Sequence, residues 1–589
     1  MTGRFDTSRI VCNPIDLPYR YQEIRQLGGR RSVHREGADP SVVHYKGRYY
    51  MFVSMSQGFF HSEDLVRWEY RPTTKLPALD YAPDVRVVGD ALLISASRLR
   101  ENCPFFRSLD PLADDFEEVT PGSFPFFDPN VFEDDDGSLY LYWGCSNSAP
   151  LSATRLDPET LEAVGEKVEF GRSDIATRGW ERVGADFVPA KPTGLVGRLV
   201  HAALGDAPFI EGSWMTKHRD TYYLQYAAPG SDWNTYADGY YTAHTPLGPF
   251  SYATASPFSS KPGGFIPGAR HGSTFPDVHG NWWHVATMRI SVNHQFERRV
   301  GIFPAGFDDD GVLFCNQNFG DHPMVVPDRP FDPWTEASPG WRLLSLGATA
   351  TASSSRAGHP PGLAVDEDVR TWWVAGSAAH GEWIQLDLGV VKSIASVQVN
   401  HADHELAAHA PRRPDAARLN LERRAIYPEW TPTEVLVEVS GDGESWTPVH
   451  DSRDTGEDAP HRLVVLDAPA QARFVRVTGG RMPFGAPLAL SGVRVFGSAE
   501  GEAPGAVVPR VTRVDPLTAR LRWYAADRAH TVTTSATARR PTSSTTRGSS
   551  TGGRSCCSRP SMRARQPPRA ASTTSCSTIG QTAILMCSQ

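Results

Sequence analysis

The sequence predicts an all-β protein. A five-bladed β-propeller is expected over residues 1–330, a β-sandwich over 341–498, the start of a third β unit at 510–528, and a disordered or out-of-frame tail over 529–589. Three observations carry this. Short apolar or aromatic runs led by turn residues recur through the first half with almost no helical periodicity. Strict apolar/polar alternation takes over after a proline-rich break. Aromatic residues then stop at Tyr524, with none in the 65 that follow. At about 150 residues per domain, 589 residues allow three to four domains.

The propeller rests on five runs starting at Ser41, Asp90, Gly137, Asp220 and Gly280. Most place Gly, Asp or Asn ahead of an apolar or aromatic strand, which is hairpin chemistry. Recurrence at this spacing suits a radial array of antiparallel sheets better than a sandwich, which would close within about 100 residues. Proline density rises over 326–340 (Val-Pro-Asp-Arg-Pro-Phe-Asp-Pro-Trp-Thr-Glu-Ala-Ser-Pro-Gly), marking a linker. Beyond it, Glu382-Trp-Ile-Gln-Leu-Asp-Leu-Gly, Ile394-Ala-Ser-Val-Gln-Val, Glu434-Val-Leu-Val-Glu-Val-Ser and Arg473-Phe-Val-Arg-Val read as half-buried sandwich strands.

The tail differs in kind. From Arg528 to Gln589 there are nine Arg and no Lys, Asp or Glu. Without aromatics it lacks the apolar surface that folding needs. Its bland reading is a disordered basic tail; its sharper one is translation out of frame. Thr533 to Thr546 can be encoded by codons that, read one base earlier, give Tyr-Asn-Val-Arg-Tyr-Gly-Thr-Ala-Pro-Asp-Lys-Leu-Tyr-His, a peptide with the aromatic and turn content of a fibronectin type III segment.

Charge and composition exclude several classes. Removing the nine tail arginines from the net charge of −8 leaves −17 on residues 1–527, which disfavours nucleic-acid partners. No run approaches the 18 or so apolar residues of a membrane span, so no membrane partner is expected. The eight Cys show neither zinc-ligand spacing nor a disulfide framework. The N-terminus has no apolar core, which predicts a cytoplasmic protein, or an extracellular one if the true start lies upstream. Oligomeric state is not legible.

Three acidic residues stand out: Asp39 in Ala-Asp-Pro-Ser-Val, Asp128 in Phe-Asp-Pro-Asn-Val-Phe-Glu-Asp-Asp-Asp-Gly, and Glu211 in Ile-Glu-Gly-Ser-Trp-Met. Each lies at the expected start of an inner blade strand, where side chains face the channel. Singly, an Asp-Pro before a strand is more often a turn than a catalyst. On three blades, however, they can converge, as glycoside hydrolysis requires of a carboxylic acid and a carboxylate.

These motifs, in this order, resemble those of glycoside hydrolase family 43, five-bladed propellers that hydrolyse arabinose- and xylose-containing glycans with inversion. Ser62-Glu-Asp-Leu-Val-Arg-Trp, Tyr81-Ala-Pro-Asp-Val, Thr245-Pro-Leu-Gly-Pro-Phe and Gly268-Ala-Arg-His-Gly-Ser support the resemblance over about residues 30 to 320. It implies Asp39 as general base, Glu211 as general acid and Asp128 as the residue that raises the pKa of Glu211. It also implies His271 as the channel histidine, near a calcium or its water, and Arg298 or Arg299 as the arginine near the substrate, with a lean to Arg298. Phe59, Trp143 and Trp214 are candidates to stack on sugar, although blade core is the commoner place for such rings; Phe60 and Trp233 are weaker candidates. No cofactor is required, but a structural calcium could sit in the channel or in the second domain.

Residues 341–498 resemble a discoidin, or coagulation factor type C, module through Ala364-Val-Asp-Glu-Asp-Val-Arg-Thr-Trp-Trp, Glu382-Trp-Ile-Gln-Leu-Asp-Leu-Gly and Glu438-Val-Ser-Gly-Asp-Gly-Glu-Ser-Trp. This implies a carbohydrate-binding module, with any calcium near the Asp366 loop, or a scaffold packed on the propeller. The expected function is an inverting exo-glycosidase of the α-L-arabinofuranosidase or β-xylosidase type, acting on an oligosaccharide or polysaccharide. The alternatives are a β-galactofuranosidase on the same fold and a non-catalytic glycan-binding protein. A retaining fructan hydrolase would show Asn-Asp-Pro-Asn-Gly where this chain has Gly37-Ala-Asp-Pro-Ser.

Overall fold

The computed structural model describes residues 6–498 apart from 27–28, 78–80, 99–100, 184–207, 232, 319 and 420–421, together with the strand backbones of 508–515, 518–524 and 583–586. The turn chemistry read from the sequence sets the hairpins. In the first, Tyr45 faces Arg48 across Lys46 (φ 47°) and Gly47 (φ 83°). Two consecutive positive φ values make the turn whose twist matches the flanking strands. The second strand of the third blade likewise follows Asp-Asp-Asp-Gly, with Gly137 at φ 79°.

Five four-stranded antiparallel sheets follow, each with its strands in chain order. They begin with Ser41–Tyr45, Tyr81–Val88, Asn130–Glu133, Glu211–His218 and Gly268–Pro276, and end with Glu69–Pro72, Glu117–Thr120, Ala163–Phe170, Ser251–Tyr252 and Leu313–Cys315. Each first strand touches the first strand of the next blade, and Gly268–Pro276 returns to Ser41–Tyr45, so the ring closes as a five-bladed propeller. Apolar clusters fill the wedges between blades. One gathers Phe52, Phe59, Val85, Ile94 and Phe116, and another joins Tyr49 and Met51 to Phe275 and Trp283 across the closure. Ile10–Val11 pairs with Met324–Val325 outside the ring.

Residues 342–498 form the sandwich. Its sheet runs in the order Arg342–Leu343, Ala489–Ser498, Trp383–His401, His461–Gly479, Val435–Ser440, Thr447–Asp451. The two 19-residue strands shift register between Asp387 and Lys392, as strands passing from one layer to the other do. Trp373, Ile384, Leu386, Val437, Val475 and Val493 fill the core.

One feature departs from the sequence reading of two units in tandem. After His401 the chain leaves the sandwich, and Glu422–Ile426 pairs with Arg20–Gln26, whose other edge carries Arg31–Glu36. Ala417–Leu419 completes a sheet built from segments about 400 residues apart in the chain. Buried contacts fasten the two units further: Arg35 binds Asp458 with both terminal nitrogens, and Arg494, held by Glu367 of its own unit at 2.9 Å, donates to the carbonyl of Asp321.

In the tail, the apolar run Ala583–Met586 pairs with Thr518–Tyr524, which itself pairs with Val508–Asp515. The rest of that tail lies outside the described residues, as does the Gly184 to Gly205 segment. No helix among the described residues is long and apolar enough to cross a membrane.

Candidate active site

Asp39 and Asp128 each precede a proline two residues ahead of a first strand, and Glu211 is the first residue of its strand. The ring therefore brings three carboxylates from three blades together. Asp39, Asp128 and His271 hold φ values of 51°, 48° and 41°. Left-handed backbone at non-glycine residues is costly and clusters at functional sites.

Asp39 is 6% exposed. Its backbone N–H donates to Thr287 Oγ1 (2.8 Å), and Ser54 Oγ donates to its Oδ2 (2.7 Å). Arg298 Nη1 lies 3.2 Å and His271 Nδ1 3.3 Å from Oδ1. Burial alone would push this carboxyl up, but the arginine and imidazole charges and the two hydroxyl bonds outweigh it and hold the carboxyl below its usual value. Asp39 is thus ionised at neutral pH.

Asp128 goes the other way. Its backbone N–H donates to Ser97 Oγ at 2.8 Å. Burial, together with the charges of Glu211 and Asp39, raises its carboxyl to about 7 against the pull of His271. Glu211 accepts from Tyr236 Oη on Oε1 and from Cys145 Sγ (3.0 Å) on Oε2. Ligand-capable atoms of Asp128, Cys145 and Glu211 lie within 4.8 Å of one another. The raised Asp128 carboxyl thus keeps a proton beside Glu211 close to neutral pH.

His271 stacks its ring over Gly212, where a Cβ would come within 2.7 Å of the imidazole. Gly212 also holds φ 66°, so glycine is required there twice over. Burial lowers the His271 pKa, but Asp39, Asp128, Glu211 and Asp238 outweigh it and raise it. An imidazolium at this point occupies the electrostatic place of a cation. A hard oxygen-seeking ion such as calcium does not fit as a direct ligand of this ring, and Nδ1 already faces Asp39.

Strand geometry separates the two arginines. Successive side chains in Arg298–Phe307 point to opposite faces. Arg298 faces the site, bridging Asp39 and Glu36 (2.6 Å). Arg299 faces the sandwich, where it binds His461 Nε2 (2.9 Å) and the carbonyl of Arg35. Its assignment as a substrate residue is therefore corrected to a domain-joining one.

Two aromatic candidates are corrected likewise. Phe59 is fully buried between Phe52 and Phe116, because both faces of an inner sheet are covered. Trp214 is 4% exposed, donates Nε1–H to the carbonyl of Thr274 and carries the Arg86 guanidinium 3.5 Å above its ring. Phe60 is also core. Trp143 is half-buried against Phe124, two residues from Cys145.

The sequence reading missed Cys145, Tyr236, Ser54, Thr287 and Glu36. Only Glu36 carried a signal, three residues ahead of Asp39 in Glu36-Gly-Ala-Asp. In the second domain, the Asp366 carboxylate accepts from Thr371 Oγ1 and the Asp368 N–H, closing its own loop.

Comparison with known proteins finds two family matches in the chain. Residues 32–313 match the model of glycosyl hydrolases family 43, and residues 363–477 that of the NedA-like, galactose-binding domain. A β-D-galactofuranosidase of Aspergillus niger is 24% identical over 249 residues, 36% of this chain and 63% of its own. An arabinoxylan arabinofuranohydrolase of Bacillus subtilis is 26% identical over 294 residues, 40% of this chain and 52% of its own. The chain thus spans about half the length of the curated relatives it matches. A solved glycoside hydrolase superposes with a TM-score of 0.44 at 17% identity, over 78% of this chain and 97% of that one. Residues 32–313 are a domain of glycosyl hydrolases family 43, followed at 363–477 by a domain of the NedA-like, galactose-binding family.

Proposed function

We propose that this protein is an inverting exo-glycosidase acting on arabinose- or xylose-containing glycans. The observation that carries it is the divergence of its carboxyls: Asp39 is held ionised by Arg298 and His271, while Asp128, raised to about 7 by burial and neighbouring charge, keeps a proton within 4.8 Å of Glu211. A base and an acid in one pocket at one pH is what hydrolysis of an acetal demands. Asp39 accepts a proton from water as its oxygen attacks the anomeric carbon. Glu211 gives its proton to the departing oxygen as the carbon–oxygen bond breaks. Asp128 keeps the pair protonated by its negative charge and its burial. The products are a sugar of inverted anomeric configuration and a free alcohol, and exchange with solvent resets both carboxyls.

The sugar is open to two furanosides and one pyranoside. The relatives' names include a β-D-galactofuranosidase as well as an arabinofuranohydrolase and a β-xylosidase from Xylanibacter ruminicola, so galactofuranose stands as the second reading. On this reading the positive charge in the channel comes from His271 and Arg298, and no metal takes part in a step.

Hydrolysis of nitrophenyl α-L-arabinofuranoside, β-D-xyloside and β-D-galactofuranoside tests this, with the matching alkyl glycosides alongside. Asp39→Asn should abolish release from both kinds of substrate. Glu211→Gln should abolish it from the alkyl glycoside but spare part of the nitrophenyl rate, because nitrophenolate departs without a proton. NMR of the first-formed anomer reads inversion. No release from any of them by folded protein would favour the glycan-binding reading.

A further inference from the structure

The strand Glu422–Ile426 belongs to the C-terminal unit, yet it carries a guanidinium toward the catalytic base. Arg424 faces Ile24 in register and is 2% exposed. It binds Glu422 at 2.8 Å and lies 3.7 Å from Glu36 Oε2. Its guanidinium stands over the rings of Tyr81 and Phe296, at 5.1 and 5.3 Å. Arg298 stands over the same two rings, at 5.9 and 5.0 Å. Glu36 is thus shared: Oε1 takes Arg298 at 2.6 Å, and Oε2 takes Gln22 Nε2 at 3.0 Å with Arg424 beyond.

We propose that Arg424 is a positioning residue for the catalytic base, supplied to the propeller's site by the C-terminal unit. Arg298 has two carboxylates to satisfy, Asp39 and Glu36. With Arg424 present, Glu36 has a second cation and leaves Arg298 free to stay on Asp39. Without it, a buried carboxylate competes for the same guanidinium, and a buried charge stripped of its partner draws strongly on whatever cation remains. The line of charge continues outward through Glu422 to His294 at 3.1 Å. Burial works to raise Glu422, but His294 and Arg424 outweigh it and lower it to about 2, so Glu422 is ionised throughout the working range.

This differs from what an appended binding module would do. Such a module changes capture of a polymer and leaves turnover of a small glycoside alone. A module that positions the base changes turnover of the smallest substrate.

The proposal rests on the glycosidase reading, and its test uses the full chain and the nitrophenyl glycoside that the wild type hydrolyses. Asp39 is faced by Arg298, His271, Asp128, Cys145 and Tyr236, and only the first of these is reached by Arg424. Arg424→Gln should lower kcat about tenfold with KM within about twofold, and raise the acid limb of kcat/KM by about half a pH unit or more. Arg424→Lys should restore most of kcat, since charge rather than shape is at stake. Glu36→Gln should move the limb the opposite way, to lower pH, by freeing Arg298 for Asp39. Where Arg424→Gln fails to fold, the Lys and Glu36 variants decide by the same signs. A wild type inert on every glycoside counts against the glycosidase reading. An active wild type whose Arg424→Gln variant keeps the same acid limb and kcat overturns the role of Arg424 alone.

Discussion

Replacing Asp128 by Asn probes the proton that the acid must carry. Asn is isosteric, tolerates the left-handed backbone at this position, and keeps the oxygen that the Gly212 N–H reaches. What it removes is a charge. The Asp128 carboxyl rises from 3.8 to about 7, first through burial and then through the charges of Glu211 and Asp39. That is roughly three pH units, or about 4 kcal/mol at ~1.36 kcal/mol per unit. Part of this holds a proton beside Glu211, and removing the neighbouring charge should let the acid lose its proton at lower pH.

The alkaline limb of kcat on an alkyl glycoside should therefore fall by about two units in Asp128→Asn. At pH 7 a limb lowered by about two units is a loss of about 100-fold. At pH 4.5 the loss should shrink to a few-fold. The nitrophenyl glycoside, whose leaving group needs no proton, should lose far less at either pH. Rates of both substrates against pH, for wild type and variant, decide it. An alkaline limb that stays in place, or an equal loss on both substrates, would refute the assignment of Asp128 to the acid's proton.

The same variant should gain stability. A carboxyl whose folded pKa exceeds its unfolded one contributes most below the unfolded value, and that contribution is lost as pH rises through the folded one. Asp128→Asn should accordingly melt above wild type at pH 8, with the gain gone by about pH 4 in a calorimetric series. Phe59→Ala should cost about 3 to 5 kcal/mol in denaturant unfolding yet leave KM unchanged; a raised KM in folded protein would return the ring to the substrate. Gly212→Ala, forcing a Cβ to 2.7 Å from His271 at a φ of 66°, should lower kcat about tenfold or more with little change in circular dichroism.

What could be read from the sequence was local. The Lys46-Gly47 and Asp-Asp-Asp-Gly turns place hairpins by backbone chemistry that needs no distant partner, and the three acidic motifs sit where those hairpins begin. The misreadings have a common cause. Arg298–Phe307 is buried at every position but the last, so the alternation that tells one face from the other is absent, and Arg298 and Arg299 look alike. Phe59 and Trp214 lie in sheets covered on both sides, where an aromatic is as welcome in a wedge as in a pocket. Cys145 and Tyr236 reach Glu211 from different strands and loops, and a lone thiol or phenol carries no spacing to betray this.

The deepest omission is the excursion after His401. In the sequence it reads as part of one sandwich, because Glu422–Ile426 finds its partner about 400 residues earlier in the chain. Non-local pairing leaves no period in either strand. Yet Glu36, the residue this pairing presents to Arg424, stands in the same motif as Asp39. The motif records residues that stand together in the chain, while the charges that hold Asp39 ionised come from segments that only the folded chain brings together.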